Sequence, residues 1–101
     1  MEIEKILSHI SGFDWDSGNI NKIWKKHLVA PNEAEEVFFN KPLLLLPDEK
    51  HSNTEERFSA MGKTDGERLL FVTWTVRERL IRVISARPMS RKERRKYANE
   101  T

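Results

Sequence analysis

The sequence predicts an α+β fold: a small antiparallel meander sheet with two helices on one face and a C-terminal helix. Three observations carry this. Early in the chain, apolar residues recur at spacings of three and four, first at Ile3, Ile6, Leu7 and Ile10 and then at Ile20, Ile23, Trp24 and Leu28, which is helical periodicity. From Leu43 onward the apolar residues fall in short continuous or alternating runs bounded by Pro, Gly and Asp, the mark of strands. Ser90 and Glu93 then stand three apart, a capping box opening a last helix. At 101 residues there is room for one domain with a single modest core.

Met1–Ser11 is expected as a short amphipathic helix ending at Gly12. Phe13–Asp16 reads as a short strand with both aromatics on one face. Asp16 or Ser17 caps the next helix. Pro31 suits the first turn of a third helix, Glu33, Glu35 and Glu36 favour its positive end, and Ala34, Val37 and Phe38 face inward. Pro42 stops that helix. Leu43–Leu46 is an apolar strand between prolines, and Asp48–Thr54 is a polar loop. Glu56–Gly62, Arg68–Val76 and Leu80–Ala86 are three further strands. Asp65-Gly66 is a strong hairpin signal between the first two, whereas the turn near Arg77-Glu78 lacks Gly or Asn. The last helix covers roughly Arg91–Asn99, and Trp15, Trp24 and Trp74 are expected in the core.

Charge is unevenly distributed. Nine Lys and Arg stand against two Glu between Arg77 and Tyr97, while seven Asp and Glu stand against two Lys between Pro31 and Glu56. The formal net charge of +2 conceals this polarity. A dense basic run is either a solvated, salt-bridged surface or the footprint of a polyanion-binding face. Arg82 and Arg87 lie within or at the end of a strand, where solvation is not the default fate of a charge, and this favours the second reading.

Alternation sorts the strand residues. Leu70, Val72, Trp74 and Val76 oppose Leu69, Phe71, Thr73 and Thr75; Phe58 and Ala60 oppose Arg57, Ser59 and Met61; Ile81, Val83 and Ser85 oppose Leu80, Arg82, Ile84 and Ala86. If the apolar sides cover the helices, Arg57, Ser59, Thr73, Thr75 and Arg82 gather on the other side. That face still carries Phe71, Leu80 and Ile84, so it is expected to be half covered by a helix, leaving a cationic groove.

Several chemistries are excluded. There is no cysteine, so no disulfide framework or thiolate site exists. His9, His27 and His51 form no metal-binding spacing, the four glycines build no phosphate loop, and no G-x-S-x-G elbow occurs. Asp14 and Asp16 fit a strand end and a helix cap better than a catalytic carboxylate pair. No run approaches the ~18 apolar residues that span a bilayer, and Met1–Leu7 alternates charged and apolar groups unlike a signal peptide. No metal, cofactor or membrane is expected, and the chain reads as cytoplasmic.

What remains is Arg, Lys, His, Tyr and hydroxyl groups on one face. That inventory suits cleavage of RNA by its own 2′-hydroxyl, for which a protein need only hold the phosphate, move protons and stabilise the phosphorane. His27, beside Lys25 and Lys26 at a helix C-terminus, is either the proton-transfer group or a cation placed to suit the helix dipole. Tyr97 either stacks on a base or anchors the last helix. The acidic segment Glu33–Glu56 is expected to stay away from substrate.

Phe13-Asp14-Trp15-Asp16, Gly18-Asn19, Lys26-His27, Glu35–Phe38, Glu56-Arg57-Phe58, Ile81–Arg87 and Glu93-Arg94 with Tyr97 together resemble the BrnT family of type II toxins, from about Phe13 to Tyr97. The resemblance implies a RelE-like fold, a metal-independent endoribonuclease that inhibits translation, and a BrnA-like ribbon-helix-helix antitoxin that neutralises the toxin and carries it to operator DNA. Occlusion of the groove by that antitoxin is expected. The resemblance divides the chain into an extension, residues 1–12, and a ribonuclease domain, residues 13–101. By position it implies His27, Arg57, Arg82 and Arg87 as catalytic residues. Lys26, Arg91, Arg94, Arg95 and Tyr97 are the expected RNA contacts. Leu28 and Ala30 depart from the family's Gly and capping Ser, and Arg77-Glu78 replaces a Gly-containing turn. Two alternatives use the same patch without catalysis: nucleic-acid binding or co-repression with a DNA-binding partner, and docking of an acidic protein segment.

Overall fold

In a computed structural model, residues 3–51 and 54–101 are described, with the side chain of His51 excepted. The first two residues of the expected N-terminal helix and residues 52–53 of the polar loop lie outside the described residues. The elements are α1 (Ile3–Leu7), β1 (Gly12–Phe13), α2 (Ser17–His27), α3 (Pro31–Phe39), β2 (Leu44–Pro47), a 3₁₀ turn (Glu49–His51), β3 (Phe58–Lys63), β4 (Leu69–Arg77), β5 (Leu80–Pro88) and α4 (Arg91–Glu100).

The sheet runs β1-β5-β4-β3-β2. β2 to β5 form the expected antiparallel meander, but β1 joins the far edge parallel to β5, pairing Gly12 with Leu80 and Phe13 with Ile81. The sheet is therefore mixed rather than antiparallel throughout. Two residues carry no alternation from which a partner can be read, and the parallel pairing depends on β5 returning beside β1. Hydrogen bonds from Ser11 N–H to the Arg79 carbonyl and from Asp14 N–H to the Ile81 carbonyl, 2.9 and 2.8 Å, fix that edge.

One face of the sheet is apolar and carries three helices. Phe58, Ala60, Leu70, Val72, Trp74, Ile81, Val83 and Ala86 are buried against Ile3 of α1, Ile23 of α2, Val29, and Ala34 and Val37 of α3. At Gly62, an added Cβ would stand 3.0 Å from Val37 Cγ1 and 3.2 Å from its carbonyl oxygen, so only glycine lets α3 lie this close to β3. Phe38 sits edge-on to both Phe13 and Trp74. Trp15 packs against this core and donates its indole N–H to Glu35 at 2.7 Å. Trp24 departs from expectation: it is 52% exposed, because Ile23 alone of that stripe turns fully inward.

The opposite face is covered over only part of its width. Met61, Met89 and Tyr97 are buried with Leu44, Leu46, Leu69 and Phe71 around them, so α4 seals the β2–β4 side. Ser90 caps α4, accepting from Glu93 N–H at 3.1 Å while the Glu93 carboxylate accepts from Ser90 N–H at 2.8 Å.

The connections explain the departures in sequence. Leu28 closes α2 in the left-handed region at φ 54°, where glycine is the usual choice. Ala30 offers no side-chain cap to α3. Arg68 compensates for both, donating to the Leu28 carbonyl at 2.8 Å, the His27 carbonyl at 3.0 Å and Glu33 at 3.1 Å. In the β3–β4 loop the positive φ falls on Glu67, at 64°, rather than on Gly66. The hairpin lies where Asp65-Gly66 signals it, with five residues, Thr64 to Arg68, between the paired Lys63 and Leu69.

Between β4 and β5, Arg77 pairs with Leu80, and the two turn residues Glu78 and Arg79 both have positive φ, 51° and 67°. This is the backbone that Asn-Gly fits, and side chains with a Cβ there cost about 1 kcal/mol each. Replacing Glu78 by glycine, which leaves the Arg79 side chain donating to the His9 carbonyl, should raise the unfolding free energy by about 1 kcal/mol, or about 4–8 °C in Tm for a domain this small. An unchanged or lower Tm in calorimetry would show that the turn is not strained.

Candidate active site

On the uncovered part of the second face lies a cleft of about 480 Å³ lined by Lys22, Asp48, Arg57, Ser59, Phe71, Thr73, Ile84, Ser85 and Arg87. Its floor follows from register. Ser59 pairs with Thr73, and Thr73 with Ser85, so three hydroxyls from three strands stand in one row. Arg57 precedes β3 at one end, where its carbonyl accepts from Asp48 N–H at 2.9 Å.

Arg87 reaches the cleft through an irregularity. The β4–β5 register shifts between Thr73 and Trp74: Thr73 pairs with Ser85 but Trp74 pairs with Val83. Ile84 is the extra residue of a β-bulge, and beyond it every side chain changes face. Ser85 thus turns to the cleft and Ala86 to the core, opposite to strict alternation, and Arg87 lands across from Phe71. Its guanidinium lies 4.6 Å from the Phe71 ring centroid and grips Glu93 with two bonds of 2.7 and 2.8 Å. Phe71 therefore forms the back of the Arg87 site rather than an open stacking surface.

His27 and Lys26 line a second, smaller pocket of about 90 Å³ with Lys22, Ile23, Ser85 and Ala86. Lys22 and Ser85 border both cavities, so the two adjoin at a saddle. The structure thereby brings Arg57 and Arg87 together, with Lys26 and His27 next door.

Arg82 sits elsewhere. It pairs with Thr75, on the same face as Arg57, but its side chain runs toward the sheet edge. There it meets Asp16 at 2.8 Å and Asp14 at 3.4 Å. Asp16 also caps α2, accepting from Asn19 N–H at 2.7 Å. That backbone bond first, and Arg82 second, hold the Asp16 carboxyl below its usual range, while Asp16 raises Arg82.

The α4 residues divide in the same way. Arg91 and Arg95 are exposed and line neither cavity, and Arg94 donates to the Met89 carbonyl at 3.1 Å. Tyr97 is buried and donates to the Pro42 carbonyl at 2.5 Å, and burial pushes its phenol up. Of the two uses open to it, this is the anchor.

Two lining residues escaped the sequence reading. Asp48 belongs to the acidic segment expected to face away, but the loop after β2 folds back toward Arg57 and brings it to the rim. Lys22 stands one turn before Lys26, a spacing that puts both on one stripe of α2 and is the signal for it in the sequence.

Among the described residues, no three His, Cys, Asp or Glu side chains converge in a way that could hold a metal ion. No described helix is long and apolar enough to cross a membrane. The cleft's own donors are two guanidiniums, an ammonium and three hydroxyls, set against the single carboxylate of Asp48, so the site carries net positive charge and attracts an anion.

The Arg87–Glu93 pair has a pH signature. Arg87, ahead of the Ser90 backbone bond, lowers the Glu93 carboxyl, and Glu93 raises Arg87. A lowered carboxyl contributes stability that is complete above the ordinary glutamate value of about 4.3 and is lost as pH falls through its folded value. Glu93→Gln, which keeps a capping-box acceptor, should therefore be less stable than the native chain at pH 7, with the gap closing as pH falls below the usual carboxylate range. A gap of equal size at pH 7 and pH 3 in urea titrations would contradict the ion pair.

A family model described as the ribonuclease toxin BrnT of a type II toxin–antitoxin system matches residues 15–93 of the chain. No match was found among curated proteins.

Proposed function

Because the chain belongs to the BrnT family of type II toxin–antitoxin ribonuclease toxins, we propose that its cationic cleft is an endoribonuclease site. Family membership implies an RNA substrate and an antitoxin partner. The observation that carries the assignment is the convergence of Arg57 and Arg87 on one cleft, floored by hydroxyls and adjoining His27.

In this reading the arginines grip the scissile phosphate, since their forks match its oxygens and never lose charge. The substrate's 2′-hydroxyl is the nucleophile. It attacks phosphorus, its proton passes to a base, and the 5′-oxygen of the next nucleotide leaves with a proton. His27, with Lys26 beside it, serves these proton transfers. The excess positive charge stabilises the phosphorane, so the reaction runs without a metal. Arg82 supports the site from behind: by tying Asp14 and Asp16 it seats the start of α2, the helix that carries His27. Arg91, Arg94 and Arg95 on α4 supply a longer-range attractive field for the strand. The helices on one face, α2 and α3 with the short α1 beside them, and the open groove on the other are read as a RelE-like frame.

The partner in this account is a BrnA-like ribbon-helix-helix antitoxin that covers the cleft in the resting complex. Through it the toxin is held at operator DNA, and free toxin arrests translation in the cytoplasm.

Purified protein on labelled RNA tests the assignment. Arg57→Ala and Arg87→Ala should each cost roughly 10²–10³-fold in single-turnover rate, as for the loss of a donor to a developing oxyanion. Arg82→Ala should act through α2, showing a lowered Tm together with its loss of rate. Products should end in a 2′,3′-cyclic phosphate and a 5′-hydroxyl, with EDTA without effect. Binding of RNA without any cleavage would favour the non-catalytic reading, and cleavage of DNA at a comparable rate would overturn the 2′-hydroxyl mechanism.

A further inference from the structure

Lys22 connects the two halves of the basic face. It is exposed on α2, one turn before Lys26 and one turn after Asn19, and with Ser85 it borders both the 480 Å³ cleft and the 90 Å³ pocket. Its position is fixed from behind. β1 ends at Phe13, so the Val83 carbonyl of β5 has no strand partner on that side. Asn19 fills the gap by donating its side-chain amide to that carbonyl. The Asp16–Arg82 pair holds the preceding turn to the same strand.

The two cavities differ in what they can take. The larger falls in the size range of small-ligand sites, about 300–1,000 Å³. The smaller has about a fifth of the larger one's volume, a size that suits phosphoryl or hydroxyl oxygens better than a base. A strand seated in the cleft must cross the saddle to bring a phosphate within reach of His27, and Lys22 is the cation standing there.

We propose that Lys22 is a substrate-contacting residue that holds the phosphate crossing from the Arg57–Arg87 cleft to the His27 pocket. The inference rests on the ribonuclease reading of the same cleft and extends it to a substrate track with a defined crossing point. A lysine in this role is a point charge on a flexible stem. Its loss weakens binding of every sequence alike and lowers the number of counterions released on binding.

The probe is a short, fully 2′-O-methylated oligoribonucleotide, which keeps the phosphates and cannot react, bound across a KCl series and followed by fluorescence anisotropy. Lys22→Ala should lower affinity several-fold and flatten the log–log salt slope by about 0.7, the value of one phosphate contact on a single strand. Lys22→Arg should restore the slope. Lys25→Ala, on the same helix but lining neither cavity, should leave it unchanged. A Lys22→Ala slope equal to that of the native chain, with Arg57→Ala still flattened, would overturn the crossing point while sparing the ribonuclease reading. Absence of probe binding, together with absence of cleavage of unmodified RNA by the native chain, would overturn both.

Discussion

The single extra residue in β5 sets the chemistry of this molecule. Without the bulge at Ile84, Arg87 would share a face with Ile81 and Val83 and point into an apolar core, where an unpaired guanidinium is prohibitively costly. With it, Ala86 fills that core, Ser85 completes the row of hydroxyls, and Arg87 emerges beside Phe71 and Glu93. The same residue count that distorts the ladder therefore makes the core uniform and the cleft cationic. Bulges near functional sites commonly re-aim a side chain in this way.

The arginines of the strands and loops divide between grip and scaffold. Arg87 and Arg57 line the cleft, Arg87 with one end of its guanidinium already held by Glu93, whereas Arg82 and Arg68 line neither cavity and are taken up by carboxylates and helix-end carbonyls. Solvent-screened pairs such as Arg82 with Asp14 and Asp16 contribute little to stability. Their importance is geometric: Arg82 fixes where α2 begins, and Arg68 closes its end despite a leucine at the left-handed position. Between these fixed ends lie Lys22, Lys26 and His27. A small domain places three cationic or titratable groups at one sheet edge by clamping the helix that carries them.

Much of the frame was legible in the sequence. Helical spacing identified α1, α2 and α3, prolines bounded β2, and Ser90 with Glu93 marked the start of α4. Alternation placed Arg57, Ser59 and Thr73 on the cleft side because β3 and β4 pair without interruption. It failed beyond Ile84, since a bulge leaves no residue-type signal and inverts each later assignment. The parallel edge strand was illegible because two residues have no period. Asp48 could not be placed from sequence, since a loop after an edge strand can fold either way. Trp24 shows the limit of an apolar stripe on a two-turn contact: the helix buries Ile23 and leaves the larger side chain in solvent.

If Arg57 and Arg87 act by fork geometry on a reacting phosphate, charge alone cannot replace them. The direct measurement is single-turnover RNA cleavage by Arg57→Lys and Arg87→Lys beside affinity for the same RNA. The account predicts a fall in rate of roughly 10²-fold for each with affinity held within a few-fold, because the charge that attracts the strand is retained. Native rates in both lysine variants would contradict it, and would mean that the cleft attracts RNA without carrying out its cleavage.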